Sequence, residues 1–148
     1  MEFNNSPYFE SENILPIYAK FGERLLAFLI DILLLNTISG ILLFSIGGDN
    51  WIEYSSDLKI QIFGGVLNWL YFSLFESSER QATIGKSAMG IKVQALEGGR
   101  LSWGRASGRH FGKIISALAL GMGFIWILFS PRNQAWHDSL VDAVLVKS

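Results

Sequence analysis

Arg24 and Asp31 stand seven residues apart, one at the edge and one in the middle of an apolar run. Seven residues make about two helical turns, so in a helix both side chains lie on one face. The run "LLAFLIDILLL", residues 25 to 35, holds ten apolar side chains around the single carboxylate of Asp31. An ionised acid at membrane depth costs at least a few kcal/mol, so Asp31 needs a partner, a water path or a proton. Arg24 sits at the edge of the run, where its long side chain can snorkel. A second apolar segment carries Asn68 eight residues before Glu76. That spacing puts Asn68 roughly 12 Å deep, close to the level of Asp31 at about 10 Å. Its amide can donate to a carboxylate. We expect Asp31 and Asn68 to face each other as a proton- or cation-binding pair. The alternative is that Asp31 finds Asn36, Thr37 or water instead. Asp138, next to His137 in a short predicted helix over residues 134–141, is the second acid of interest. If the tail lies on the inner side it can reach Arg24, and an Arg–carboxylate pair of this kind is strong when partly buried. Arg24, Asp31 and Asp138 are therefore expected to form a charge network, either a structural clamp or a functional device.

The elements that must hold these residues are apolar. Of 148 residues, 50% are hydrophobic and only 17% charged, with a mean hydropathy of +0.32. A soluble domain carries about a quarter charged residues, so the balance points to one membrane domain. The net charge of −1 suggests no nucleic-acid partner. The chain has no cysteine and two histidines, which excludes disulfides and thiolate sites and leaves too little for a histidine-rich metal site. No cofactor or metal is expected. The polar start "MEFNNSPYFESENILPIYAK" lacks the basic-then-apolar order of a secretory signal. Residues 1–17 read as a polar tail, and the first apolar segment as a retained anchor.

Three segments are apolar enough to matter: about Leu25 to Ile46, Leu58 to Phe75, and Phe111 to Phe129. The first easily crosses a hydrocarbon core of roughly 30 Å, and the second is near the lower limit. The 47–59 loop is acidic, whereas the 76–110 loop holds Arg80, Lys86, Lys92, Arg100, Arg105 and Arg109. Basic short loops stay in the cytoplasm, which places the N-terminus inside a multi-pass protein of the cell membrane. Trp51 fits an aromatic belt. Gly121 and Gly123 interrupt the third segment, so it either spans or bends back at "ALGMGF" as a re-entrant hairpin. A bend would keep the tail "DAVLVKS" on the side of "GIKVQALEGGRLSW", where Ile91, Val93 and Ala95 alternate with polar residues and Gly98-Gly99 offers a tight turn. We expect a small cytoplasmic β-hairpin there, with Val144 to Val146 as a third strand. The fold class is thus an all-α integral membrane protein with two clear transmembrane helices, a third apolar segment, re-entrant or spanning, and that hairpin.

Gly104, Gly108 and Gly112 recur every four residues. In a helix they form a smooth face that lets another helix approach. Gly85-Lys86-Ser87 has the ending of a phosphate-binding loop, but such a loop needs a glycine where Arg80 stands and a βαβ setting. Thr83 to Met89 reads better as an interfacial helix with Lys86 reaching anionic headgroups. No nucleophile completes a triad with His137 and Asp138, so no enzyme is expected.

These residues resemble the RDD family of membrane proteins, named for one arginine and two aspartates. "FGERLLAFLIDILLL" is similar to the family's first helix, with Arg24 at its start and Asp31 in its middle. "ATIGKSAMGIKV" is similar to its T-x-G-K…G-x-x-V stretch, through Thr83, Gly85, Lys86, Gly90 and Val93. "SPRNQAWHDSLVDAVLV" resembles its closing Q-x-x-H-D motif, with Asp138 as the second aspartate. The resemblance covers residues 18 to 146. It departs at Asp142-Ala143, where many relatives have Gly-Thr. For function it implies transport, including exchange of sodium or other alkali cations for protons in some members.

Two functional readings are open. One is a small transporter exchanging cations for protons, with Asp31 as the carrier. Few helices enclose a pathway, so it needs a homo-oligomer or a membrane partner protein. The other is a membrane accessory or scaffold protein in which Arg24, Asp31 and Asp138 form a structural network. In both, the lipid bilayer is the first partner.

Overall fold

The structure, a computed structural model, describes residues 16–118 and 122–148. Most of the expected polar tail, and residues 119–121 of the expected bend, lie outside the described residues. Among the described residues, two helices are long and apolar enough to cross a membrane. Helix α1 spans Phe21–Gly47 and helix α3 spans Leu58–Ser77, joined through a 3-10 turn at Gly48–Asn50 and a short helix α2, Trp51–Ser56. Glu23 in the first turn of α1 accepts from the Lys20 N–H at 2.9 Å. Asp57 caps α3 by accepting from the Lys59 N–H at 2.7 Å. Between these ends Leu, Ile and Phe run around all sides of both helices, as lipid-facing helices require. Leu33 is 70% exposed and Ile41 62% exposed. The side chains that α1 buries are those of Ala27 and Asp31. The usual order is inverted: the acid faces protein and the leucines face outward, which in a bilayer is the favourable arrangement.

The remaining elements build a cap over one end of these helices. Helix α4 covers Ile84–Ala88, strand β1 Ile91–Ala95, helix α5 Trp103–Leu118, helix α6 Met122–Ile125 with a 3-10 turn to Leu128, helix α7 Trp136–Ser139, and strand β2 Ala143–Lys147. Strands β1 and β2 pair antiparallel, with Val93 opposite Leu145. Their inward side chains Ile91, Val93 and Leu145 meet Ala19, Ala27 and Leu101 in the cap's core. The expected hairpin is therefore corrected. β1 pairs with the C-terminal strand, not with the residues beyond Gly98-Gly99. The turn forms, with both glycines at positive φ. The chain then leads into α5, where the Ser102 hydroxyl accepts from the Arg105 N–H. The other edge of β1 is taken by Gln81: its carbonyl accepts from the Val93 N–H at 2.7 Å, and its amide donates to Val93 and Gly99. On the far side of β2, the Ala19 N–H donates to Leu145 and the Lys147 N–H donates to Ile17. The sheet thereby gains a third, bridge-length member at Tyr18.

The third apolar segment is no straight span. Helix α5 and the 122–128 limb are bent by 113°. Gly112 of α5 faces α7, and Gly108 faces Val141 just beyond it. A Cβ at Gly112 would come 2.9 Å from His137 Cβ and 3.3 Å from its Cα, whereas at Gly104 it would meet nothing within 4 Å. Gly112→Ala is therefore expected to destabilise by about 1–3 kcal/mol through overpacking. Gly104→Ala is expected to stabilise by about 0.5–1 kcal/mol through helix propensity. Thermal unfolding of both variants in one detergent checks the opposite signs.

Candidate functional site

Asp31 is completely buried. One of its oxygens, Oδ1, accepts from the Tyr71 hydroxyl at 2.8 Å and from the Gly85 N–H at 2.7 Å. The other, Oδ2, accepts from the Thr83 hydroxyl at 2.6 Å. These donors come from α3 and from the start of α4, so one carboxylate ties together three elements. Thr83 also caps α4 by accepting from the Lys86 N–H. The close approach requires Gly85. A side chain there would collide with the Ala27 carbonyl oxygen and with the Asp31 carboxylate.

The expected partner Asn68 makes no hydrogen bond to Asp31. Both border the same cavity, but Tyr71, one turn nearer the end of α3, reaches the carboxylate instead. A phenol spans more distance than an amide, and its hydroxyl also accepts from the Ile84 N–H at 3.2 Å.

The second constellation is ionic. Arg24 Nη1 meets Asp138 Oδ2 at 2.6 Å, so the first arginine and the closing aspartate are joined. Asp31 is not part of this network. Its other members are Arg109, Glu76, Lys86 and Lys113. Arg109 bridges the two acids, with Nε 2.6 Å from Asp138 Oδ1 and Nη1 2.5 Å from Glu76 Oε2. Glu76 Oε1 also takes Lys86 at 2.5 Å and Lys113 at 3.4 Å. Lys113 lies over the Phe72 ring at 4.5 Å from its centre, a cation–π contact. Lys86 does not reach toward headgroups as the sequence suggested. It is 6% exposed, because the cap folds it inward onto Glu76. Burial pushes its ammonium below the ordinary lysine range, and Glu76 opposes that. Burial alone would raise the Asp138 carboxyl, but the Arg109 and Arg24 guanidinium groups hold it well below the usual carboxylate range. Asp138 also accepts from the Ala135 N–H, which closes the first turn of α7.

Sequence reasoning finds Arg24 and Asp138 but takes Arg109 for loop charge and Glu76 for a helix-end marker. A signal was present: Arg105, Arg109 and Lys113 are spaced by four, a basic stripe on one helix face. Such a stripe flanked by an apolar segment needs acids, and Glu76 is the acid at the end of the preceding span.

His137 is buried against Phe124 and lies 3.4 Å from the Ser116 hydroxyl. Burial pushes its imidazole down to about 3, against the opposing charge of Asp138. It is neutral in the folded protein at any ordinary pH. The unfolded chain binds a proton at His137 below about pH 6.5, so its contribution to stability is lost as pH falls below that value. Between pH 7 and pH 5 the loss is about 2 kcal/mol. A His137→Gln variant is expected to show a flatter fall in thermal midpoint over that interval, measured beside wild type.

An 840 Å³ cavity lies between α1, α3 and α5, with Asp31, Asn68 and the cations of the network along its walls. Among the described residues no group of histidine and acidic side chains could hold a metal ion.

Comparison with known proteins identifies one family. The family model described as RDD family matches residues 18–142. A relative from Bacillus subtilis (strain 168), the uncharacterized protein YxaI, is 36% identical over 81 residues. That match covers 55% of this chain and 53% of the relative, so the alignment spans about half the length of that protein. No solved structure gives a significant match.

Proposed function

The chain belongs to the RDD family, and from that premise we propose that it is a membrane accessory protein whose polar network is a structural staple. Two spans enter the bilayer. The cap is locked onto their ends by Asp31 through α4, and by Arg24, Glu76, Arg109 and Asp138 through α5 and α7. The cap then offers a non-catalytic surface to a second copy or to another membrane protein. By the positive-inside rule it faces the cytoplasm of the cell membrane. One observation carries the reading: both Asp31 oxygens are occupied by donors of this same chain, Tyr71, Thr83 and the Gly85 N–H. A carboxylate so occupied is suited to fixing elements in place rather than to loading and unloading an ion.

Cation–proton exchange is the second reading. What favours it is that Asp31 and Asn68 border one cavity. Asp31→Asn separates the two. It keeps the shape but turns one acceptor into a donor that faces Thr83. The staple reading expects a destabilisation of about 1–3 kcal/mol, and no proton movement driven by sodium, lithium or potassium gradients in liposomes of either protein. Flux in wild type that vanishes in a stably folded Asp31→Asn would replace the staple by the exchanger.

A further inference from the structure

The cavity between α1, α3 and α5 is graded along its length. At one end stand Arg24, Lys86, Arg109 and Lys113, and at the other Ile32, Ile62 and Val66. Its walls on α1 and α3 run for about ten residues, hence about 15 Å. That is half of a hydrocarbon core of roughly 30 Å, the depth of one lipid leaflet. Those walls are apolar and still open. Phe28 is 46% exposed, Val66 43% and Ile114 50%.

The charged end is incomplete. Arg24 is nine-tenths buried, yet its Nη2 has no hydrogen-bond partner among the described residues. Further along α3, away from that end, the Trp69 indole N–H bordering the same cavity is also buried without a partner among those residues. A buried donor left unpaired costs about 1–3 kcal/mol, so an acceptor is wanted beside Arg24. The charge count agrees. Four cations, Arg24, Lys86, Arg109 and Lys113, pair with two acids, Glu76 and Asp138, leaving positive charge in excess.

We propose that this cavity binds an anionic phospholipid, its phosphodiester at Arg24 and Lys113 and one acyl chain along α1 and α3. The excess of positive charge favours an anionic headgroup, as in phosphatidylglycerol. A neutral apolar helix would cover the walls and leave the donors orphaned. In a second copy of this chain Asp31 and Glu76 are already engaged by donors of their own chain and do not serve as that acceptor. The inference goes beyond the accessory reading and does not depend on it.

The test is native mass spectrometry of the full chain from micelles holding equal phosphatidylglycerol and phosphatidylcholine with identical acyl chains. Wild type is expected to retain phosphatidylglycerol about fivefold over phosphatidylcholine. Lys113→Gln leaves Glu76 its two closer partners and is expected to level the two lipids. Gly65→Leu fills the apolar end. A Cβ at Gly65 meets nothing within 4 Å, so this variant is expected to fold and to lose both lipids. Equal retention of the two lipids by wild type overturns the proposal. So does a folded Gly65→Leu that keeps phosphatidylglycerol, or a lipid-free dimer as the main species. If Gly65→Leu lowers the thermal midpoint, the Lys113→Gln arm decides alone.

Discussion

Glu76→Gln is expected to cost about 3–5 kcal/mol, a large share of the roughly 5–15 kcal/mol that holds a typical domain together. Glu76 is 1% exposed and faces Arg109, Lys86 and Lys113. Glutamine fits the same space. It offers one acceptor oxygen where two were used, and points an N–H₂ group at a cation. The three cations then remain buried with Asp138 as their nearest acid. The ion network itself adds little over a well-packed apolar core, since desolvating its members offsets most of their attraction. Breaking it is a different matter, because the uncompensated charges cannot return to water without opening the cap. Thermal unfolding in detergent reads the loss. Adding Lys86→Met to Glu76→Gln removes one stranded charge and is expected to recover part of it, a non-additive pair. A Glu76→Gln midpoint equal to wild type would show that the cluster is not the clamp described.

Gly85→Ala is expected to cost about 2–4 kcal/mol, from overpacking and a broken hydrogen bond together. Its Cβ would strike the Ala27 carbonyl oxygen and lie 2.8 Å from Asp31 Cγ. Neither is the free end of a flexible chain: one is helix backbone, the other is held by three donors. Relief means moving α4 away from α1, which lengthens the bond from the Gly85 N–H to Asp31. Gly40→Ala in the same α1 is the control. A Cβ there meets nothing within 4 Å, and it is expected to be neutral or stabilising by up to about 1 kcal/mol. Comparable midpoints for the two alanine variants would contradict the close contact between α1 and α4.

Much of the frame is legible in the sequence, for reasons that are local. Long apolar runs announce spans at Leu25 to Ile46 and Leu58 to Phe75 because lipid admits few alternatives to a helix. The glycine spacing marks a packing face at two of its three positions: α7 lies against Gly112 and Val141 against Gly108, while Gly104 is open. The pairing of Arg24 with Asp138 is readable from an arginine at the edge of the first apolar run and an acid in the closing segment. The strand partner of β1 is legible only in part. Gly98-Gly99 makes the turn that a hairpin needs, but pairing is decided by what reaches each edge. Gln81 and the C-terminal strand both arrive first.

The sequence by itself determined the membrane class, the spans, and which charges stand where apolar residues were due. Those properties depend on composition and on helical period. Apart from the pair Arg24 and Asp138, only the tertiary structure decided which charges meet. Asp31 went to Tyr71, Thr83 and Gly85 rather than to Asn68, and Lys86 turned inward to Glu76 rather than outward to lipid. Such choices turn on differences of an ångström or two among groups 10 to 114 residues apart in the chain. Spacing along one helix cannot carry that information. It appears once α4, α5 and α7 close over the ends of α1 and α3.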